Sequence, residues 1–143
     1  MPMAESTPHH PITVTVIEDS AKPFGQSITD GRHTWNADEP ARPGGQDTGP
    51  GPYELLASSL GACTSMTLRM YANKKEWPLD HVTVTVEHEK VDNKDVMRRH
   101  IKVSGQLDEG QTQRLLEIAN RCPVHRTLSP AIDISSEIAL SRG

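Results

Sequence analysis

Aromatic side chains are scarce in this sequence: Phe24, Trp35, Tyr53, Tyr71 and Trp77 are the five among 143 residues. Single-stranded nucleic acids bind largely by stacking bases on clustered aromatic rings, so a base-stacking surface is not expected. Basic residues are also outnumbered, 15 against 19 acidic ones, and the formal net charge is −4. The chain therefore lacks the overall positive charge that attracts nucleic-acid phosphates or anionic lipids.

Long apolar runs are missing as well, since none approaches the ~20 residues that a membrane-spanning helix needs. Residues 1–10 are polar and lack the apolar core of a signal peptide. We therefore expect a flexible tail over residues 1–10, a single domain over residues 11–143 and a cytoplasmic location.

Cysteine is equally rare, with Cys63 and Cys122 as the two thiols. A cytoplasmic chain of this length does not need a disulfide for stability. The two thiols are therefore either unrelated buried residues or a redox pair.

Alternating polar and apolar residues predict strands along much of the chain. An Asp30-Gly31 pair suits the centre of a type I′ turn and predicts a short hairpin. A longer hairpin is predicted on the two sides of the polar turn at residues 92–95. The predicted strands cover residues 11–18, 26–29, 32–36, 81–91, 96–107 and a last strand marked by Ile132, Ile134 and Ile138.

Residues 38–52 are dense in glycine and proline and predict a loop that ends at Pro52, where a helix can begin. A helix follows over residues 53–74, and its apolar residues recur every three or four positions. These residues are Leu56, Leu60, Cys63, Met66 and Met70. Within this helix, Gly61 costs about 1 kcal/mol relative to alanine, which close packing or access to a site would offset.

A second helix is predicted over residues 110–121, with Asp108 or Glu109 as its cap. Its inward residues are Leu115, Leu116 and Ile118, with Ala119 beside them. Strands in runs and only two main helices favour an α+β fold with antiparallel sheets. The long apolar helix face further suggests a dimer that buries it.

The two cysteines have different predicted settings. Cys63 lies on the apolar helix face, where a small inert core residue is the default interpretation. Cys122 precedes Pro123 and is a candidate N-cap of a short helical turn. A thiolate there would face free backbone N–H groups, which lowers a thiol pKa, and His125 and Arg126 add polar or positive groups nearby. An incidental cysteine at a helix break is the alternative.

Metal binding is a minor hypothesis. Cys122 and His125 have a Cys-x-x-His spacing, and Cys63 could add a third ligand. A structural zinc site usually has four ligands in two closely spaced pairs, and no second pair is present. We therefore expect no metal and no other cofactor.

Two cysteine motifs resemble those of the OsmC/Ohr proteins. Residues 51–66, Gly-Pro-Tyr-Glu-Leu-Leu-Ala-Ser-Ser-Leu-Gly-Ala-Cys-Thr-Ser-Met, resemble the first motif. Residues 122–128, Cys-Pro-Val-His-Arg-Thr-Leu, resemble the second, in the form of a less characterised OsmC-like branch. The hairpin and helix between them match in order and length, so the resemblance covers about Ile12 to Leu140.

This resemblance implies an intertwined α+β homodimer that reduces organic hydroperoxides to alcohols by thiol chemistry. Cys63 would be the peroxidatic thiol that becomes a sulfenic acid, and Cys122 would resolve it as a disulfide. A small dithiol such as dihydrolipoamide would then restore both thiols. The peroxidase members need no metal and no flavin.

The resemblance also indicates supporting residues. Family peroxidases pair an arginine near the first strands with a glutamate just after the motif proline. That glutamate position aligns with Tyr53, while Glu54 is one step further along the chain. Arg32 is the nearest candidate arginine, Lys22 is an alternative cation, and His125 is a further supporting candidate.

A second hypothesis stays open beside the peroxidase. The dimer could be a non-catalytic module that binds an apolar ligand or senses redox state, with Cys63 unactivated. The displaced glutamate favours this alternative.

Overall fold

In the computed structural model, residues 11–141 are described, and the tail predicted over residues 1–10 lies outside this part of the chain. The chain divides into two units, of which the first ends at Leu55 and the second begins at Leu56. No helix within residues 11–141 combines the length and apolar character needed to cross a membrane.

The first unit contains a three-stranded antiparallel sheet of β1 (Thr15–Glu18), β2 (Gln26–Thr29) and β3 (Thr34–Ala37) in that order. The predicted hairpin is present, but the predicted type I′ turn is wrong. Asp30 accepts hydrogen bonds from the backbone N–H groups of Arg32 and His33 at 2.9 and 2.6 Å. This side-chain turn replaces the tight two-residue turn, so β3 begins at Thr34.

The predicted glycine- and proline-rich loop is organised by one buried carboxylate. Asp38 accepts hydrogen bonds from the hydroxyl and the N–H of Thr48, at 2.6 and 3.2 Å, and from the N–H of Glu39 at 2.7 Å. The hydroxyl bond from Thr48 is the main cause that lowers the pKa of Asp38. The loop leads into α1 (Pro52–Lys75), which begins at the predicted proline.

The second unit contains a sheet of β4 (Leu79–Val91), β5 (Lys94–Gly105) and β6 (Asp133–Ser141) in that order. A two-residue turn at Asp92 and Asn93 joins β4 to β5. The pairing of β5 with β6 is parallel, so this sheet is mixed and not antiparallel throughout as predicted. Two helices separate these strands, and such a crossover lets the chain return in the same direction.

The two helices between β5 and β6 are α2 (Glu109–Ala119) and the short α3 (Pro123–Leu128). Asp108 caps α2, as predicted, and forms a capping box with Gln111. The larger core of this unit joins α1, α2 and the sheet through buried apolar residues. They are Leu68, Ala72, Leu79, Ile101, Val103, Leu107, Leu115, Ile118 and Ala119. The predicted α+β class is confirmed.

The buried face of α1 differs from the predicted one in its second half. Met66 and Met70 are 59% and 43% exposed, whereas the residues beside them are buried. The buried set is Leu60, Thr64, Thr67, Leu68 and Ala72. Two threonines thus occupy inward positions, and the two methionines lie on an adjacent face that the described chain leaves uncovered.

Candidate functional site

The two thiols lie together in a second, smaller apolar cluster. Cys63 belongs to α1, and Cys122 is the residue immediately before α3. Cys122 is fully buried, Cys63 is partly buried, both are free thiols, and the two side chains interact directly. The apolar residues of the cluster are Leu56, Leu60, Val86, Met97, Val124, Leu128, Ile132 and Ile134.

Cys122 is the N-cap of α3, as its place before Pro123 predicts. Its sulfur accepts the backbone N–H of His125 at 3.5 Å, and the Thr64 hydroxyl approaches at 3.9 Å. The predicted lowering of its pKa is nevertheless wrong. Burial, followed by the adjacent Cys63 thiol, raises the pKa of Cys122 and outweighs the backbone N–H. At rest, Cys122 therefore favours its protonated form.

A buried arginine, Arg99 of β5, lies beside the sulfur pair. Its Nη1 donates to the Thr64 hydroxyl at 2.9 Å and to the Ala119 carbonyl at 3.1 Å. Its Nε donates to the Ser136 hydroxyl at 3.0 Å, and its Nη2 donates to the Asn120 side-chain carbonyl at 2.8 Å. These four hydrogen bonds, to α1, α2, β6 and the C-cap residue of α2, fix the plane of the guanidinium.

Arg99 has no carboxylate partner within residues 11–141, although its side chain is 0% exposed. All four of its hydrogen-bond acceptors are neutral. Burial lowers the pKa of Arg99, and the sulfur atoms of Cys122 and Cys63 act in the opposite direction. A buried cation normally has a counter-ion, and these sulfurs are the groups placed to supply one.

Arg99 is not among the predicted site residues, although the sequence carries a signal for it. Residues of one strand that are two apart share a face of the sheet. Met97, Arg99, Ile101 and Val103 follow this spacing, and all four are buried. A charged residue in phase with buried apolar positions indicates a functional or structural charge inside the protein.

His125 lies within α3, next to the Cys122 sulfur that its backbone N–H contacts. Its ring atom Nδ1 is buried and has no hydrogen-bond partner within residues 11–141. Burial, followed by the positive charge of Arg99, lowers the pKa of His125, so the imidazole is neutral near neutral pH.

The other predicted supporting residues belong to the first unit. Arg32 is exposed between β2 and β3. Tyr53 and Glu54 occupy the first turn of α1, where the Glu54 carboxylate accepts the Gly51 N–H at 2.7 Å. Lys22 contacts Asp19 and Thr48. Glu54 thus caps its own helix.

The described residues 11–141 contain no group of three histidine, cysteine or acidic side chains arranged to hold a metal ion. Cys63, Cys122 and His125 share a neighbourhood, but they do not form such a group. The cation beside the thiols is Arg99.

Comparison with known proteins identifies the family. The family described as OsmC-like protein matches residues 44–137, about two thirds of the chain, and this protein therefore belongs to the OsmC family. None of the curated proteins matches the chain.

Solved structures share the fold at low sequence identity. An OsmC-like protein from Mycoplasma pneumoniae is 19% identical, with a TM-score of 0.80 over 93% of this chain and 99% of its own. An organic hydroperoxide resistance protein OsmC from Legionella pneumophila is 19% identical, with a TM-score of 0.72 over 93% and 99%. An organic hydroperoxide resistance protein from Bacillus subtilis is 24% identical, with a TM-score of 0.62 over 89% and 96%.

Proposed function

We propose that this protein is a thiol-dependent peroxidase that reduces organic hydroperoxides to alcohols. The Cys63 thiolate attacks the peroxide O–O bond, an alcohol leaves, and Cys63 becomes a sulfenic acid. The Cys122 thiol then displaces the sulfenic oxygen as water and forms a disulfide. A small dithiol such as dihydrolipoamide then reduces the disulfide, which regenerates both thiols, and is itself oxidised to a disulfide.

The observation that carries this proposal is the buried guanidinium of Arg99, which lies beside two sulfurs and has no carboxylate partner among residues 11–141. A thiolate is the reactive form of cysteine, and apolar burial alone disfavours it. A fixed cation in the same cluster favours the thiolate and so acts against the effect of burial. A thiolate at Cys63 would supply the anion that buried Arg99 lacks.

Exposure supports the division of roles between the thiols. Cys63 is partly accessible and can meet a substrate, whereas Cys122 is fully buried and can react only with a group already inside the site. Apolar neighbours such as Leu56, Leu60 and Val86 favour an alkyl hydroperoxide over hydrogen peroxide. The names of the Legionella and Bacillus relatives agree with this substrate class.

The uncovered α1 face supports the homodimer that the resemblance implies. Exposed Met66 and Met70 form an apolar strip on the helix that also carries Cys63. Burial of this strip against a second copy of the chain would exclude water close to the reactive sulfur. A reducing compartment such as the cytoplasm suits two free thiols in contact.

Steady-state turnover of cumene hydroperoxide with dihydrolipoamide as reductant tests the proposal. Cys63→Ser should abolish turnover, and Cys122→Ser should allow one oxidation per site without recycling. The same assay with thioredoxin or glutathione identifies the preferred reductant. Undiminished peroxide consumption by Cys63→Ser would refute the assignment.

A redox sensor or ligand-binding dimer is the second candidate, and the role of Glu54 favours it. Its carboxylate holds the Gly51 N–H, whereas the peroxidase pattern pairs a glutamate with an arginine. A sensor would form the disulfide once per oxidation and exchange slowly with dithiols. Repeated turnover in the assay above distinguishes an enzyme from a sensor.

A further inference from the structure

The buried Nδ1 atom of His125 has no hydrogen-bond partner within residues 11–141. A buried polar atom normally has a hydrogen-bond partner, and an exception in a native structure requires an explanation, of which a catalytic role is one. The backbone N–H of the same residue contacts the Cys122 sulfur at 3.5 Å. The unsatisfied ring nitrogen therefore belongs to the residue that adjoins the buried thiol.

The proposed resolving step creates a need for a base at this position. Cys122 must lose its proton before it can attack the sulfenic acid at Cys63, because the thiolate is the nucleophile. Burial raises the pKa of Cys122 and keeps the thiol protonated. The deprotonation must therefore be assisted by a group inside the site.

The surroundings offer few bases. From α1, the site is faced by the Cys63 thiol and the neutral hydroxyl of Thr64. From β5, it is faced by Arg99, which carries a positive charge and cannot accept a proton. The other members of the cluster within the described chain are apolar. His125 from α3 adds an imidazole whose buried Nδ1 has no hydrogen-bond partner within residues 11–141, and its neutral form can accept a proton.

We propose that the imidazole of His125 is the general base of disulfide formation, an inference that rests on the proposed peroxidase function. Nδ1 accepts the Cys122 proton directly or through one water. The Cys122 S–H bond breaks and the S–S bond to Cys63 forms as its S–O bond breaks. The imidazole then returns the proton to the departing hydroxide, and one water leaves.

The positive charge of Arg99 has a second consequence in this arrangement. It favours the thiolate of a neighbouring cysteine and disfavours a cationic imidazole. Both effects assist the proposed reaction, because Cys63 must be a thiolate to attack the peroxide and His125 must be neutral to accept the Cys122 proton. The lowered pKa of His125 keeps this base form available below the pH at which an ordinary histidine becomes protonated.

Single-turnover kinetics with one equivalent of cumene hydroperoxide tests the inference. Sulfenic acid at Cys63 is trapped with dimedone, and the disulfide is followed by mass spectrometry. His125→Gln should form sulfenic acid within about twofold of the wild-type rate and close the disulfide at least ~100-fold more slowly. His81→Gln, which changes an exposed histidine of β4, is the matched control and should resemble the wild type.

Two further readouts separate proton transfer from a structural role. The rate of disulfide closure in the wild type should fall as acid protonates the imidazole, and His125→Gln should lack that dependence. His125→Ala should regain closure when free imidazole is added, which a packing defect would not explain.

The outcomes distinguish the two proposals. Wild-type closure rates and an unchanged pH profile in His125→Gln would overturn the role of His125 while leaving the peroxidase intact. A wild-type protein that forms neither sulfenic acid nor disulfide with cumene hydroperoxide would overturn both.

Discussion

A single buried residue, Arg99, places a positive charge beside the thiol cluster. An arginine with only neutral partners is a costly group inside a protein unless an anion joins it. In the reduced protein, Cys122 and Cys63 are the ionisable groups whose negative forms favour the charged state of Arg99. An apolar cluster alone predicts an inert cysteine, but here the guanidinium of Arg99 is available as the partner of a thiolate.

Thr64 lies between this cation and the Cys122 sulfur, and its replacement gives a prediction at the residue scale. Its hydroxyl accepts Arg99 Nη1 at 2.9 Å and donates to the Leu60 carbonyl at 2.7 Å. Thr64→Val should lower the free energy of unfolding by roughly 1.5–3 kcal/mol, because a hydrogen bond to a charged group is lost. Urea denaturation measures the change, with exposed Thr85→Val as control. Equal effects of the two substitutions would contradict the role given to Thr64.

At the scale of single elements, Gly105 and Gly61 differ in whether the structure has room for a larger side chain. Gly105 ends β5 with φ of +135°, and a Cβ there would lie 2.1 Å from the Pro78 carbonyl oxygen. Gly61 lies within α1, where a Cβ would meet Val86 at 3.6 Å, an ordinary contact. The close packing expected at Gly61 is thus against β4, and it leaves space for a methyl group.

The two alanine substitutions should therefore shift stability in opposite directions. Gly105→Ala should destabilise the protein by more than about 1 kcal/mol, since neither the backbone angle nor the space suits alanine. Gly61→Ala should stabilise it by up to about 1 kcal/mol through helix propensity. Thermal denaturation of the reduced proteins compares them, and a stabilised Gly105→Ala would disprove the account of that strand end.

The loop before α1 gives a pH-dependent prediction. The pKa of Asp38 is lowered in the folded protein, so its stabilising effect is present above the unfolded value of ~3.9 and is lost as pH falls through the folded value. Asp38→Asn should destabilise the protein at neutral pH, and its difference from the wild type should shrink below about pH 4. Urea unfolding at several pH values measures this. A difference that is constant with pH would contradict it.

Local sequence patterns predict most helices and strands. Features that depend on contacts between residues distant in the chain are harder to predict from the sequence. The capping box of α2 and the Pro52 start of α1 follow from side chains within one turn. The inward face of α1 does not, because Thr64 and Thr67 are buried by partners distant in the chain while Met66 stays exposed. The direction of β6 depends on the crossover that precedes it. The alternation of buried residues along β5 indicates that Arg99 is buried, whereas the family resemblance indicates Arg32 as the candidate arginine.

At the scale of the whole molecule, the proposed homodimer would bury the exposed strip of Met66 and Met70. The double substitution Met66→Lys/Met70→Lys should shift the protein from dimer to monomer, because two charges cannot be buried without partners. Sedimentation velocity measures the change. Gln113→Lys, at an exposed position of α2, adds the same charge elsewhere and should leave the dimer intact. A dimer unaffected by the double substitution would place the interface on another surface.

The central claim is that Arg99 activates Cys63, and the rate at which cumene hydroperoxide oxidises Cys63 tests it most directly. Arg99→Met should slow this step about tenfold to thousandfold, because an adjacent cation changes acid dissociation by that range. Arg99→Lys should fall between the two, and Arg98→Met, which removes the half-buried neighbour paired with Glu89, should match the wild type. An Arg99→Met protein that is folded and oxidised at the wild-type rate would contradict the account.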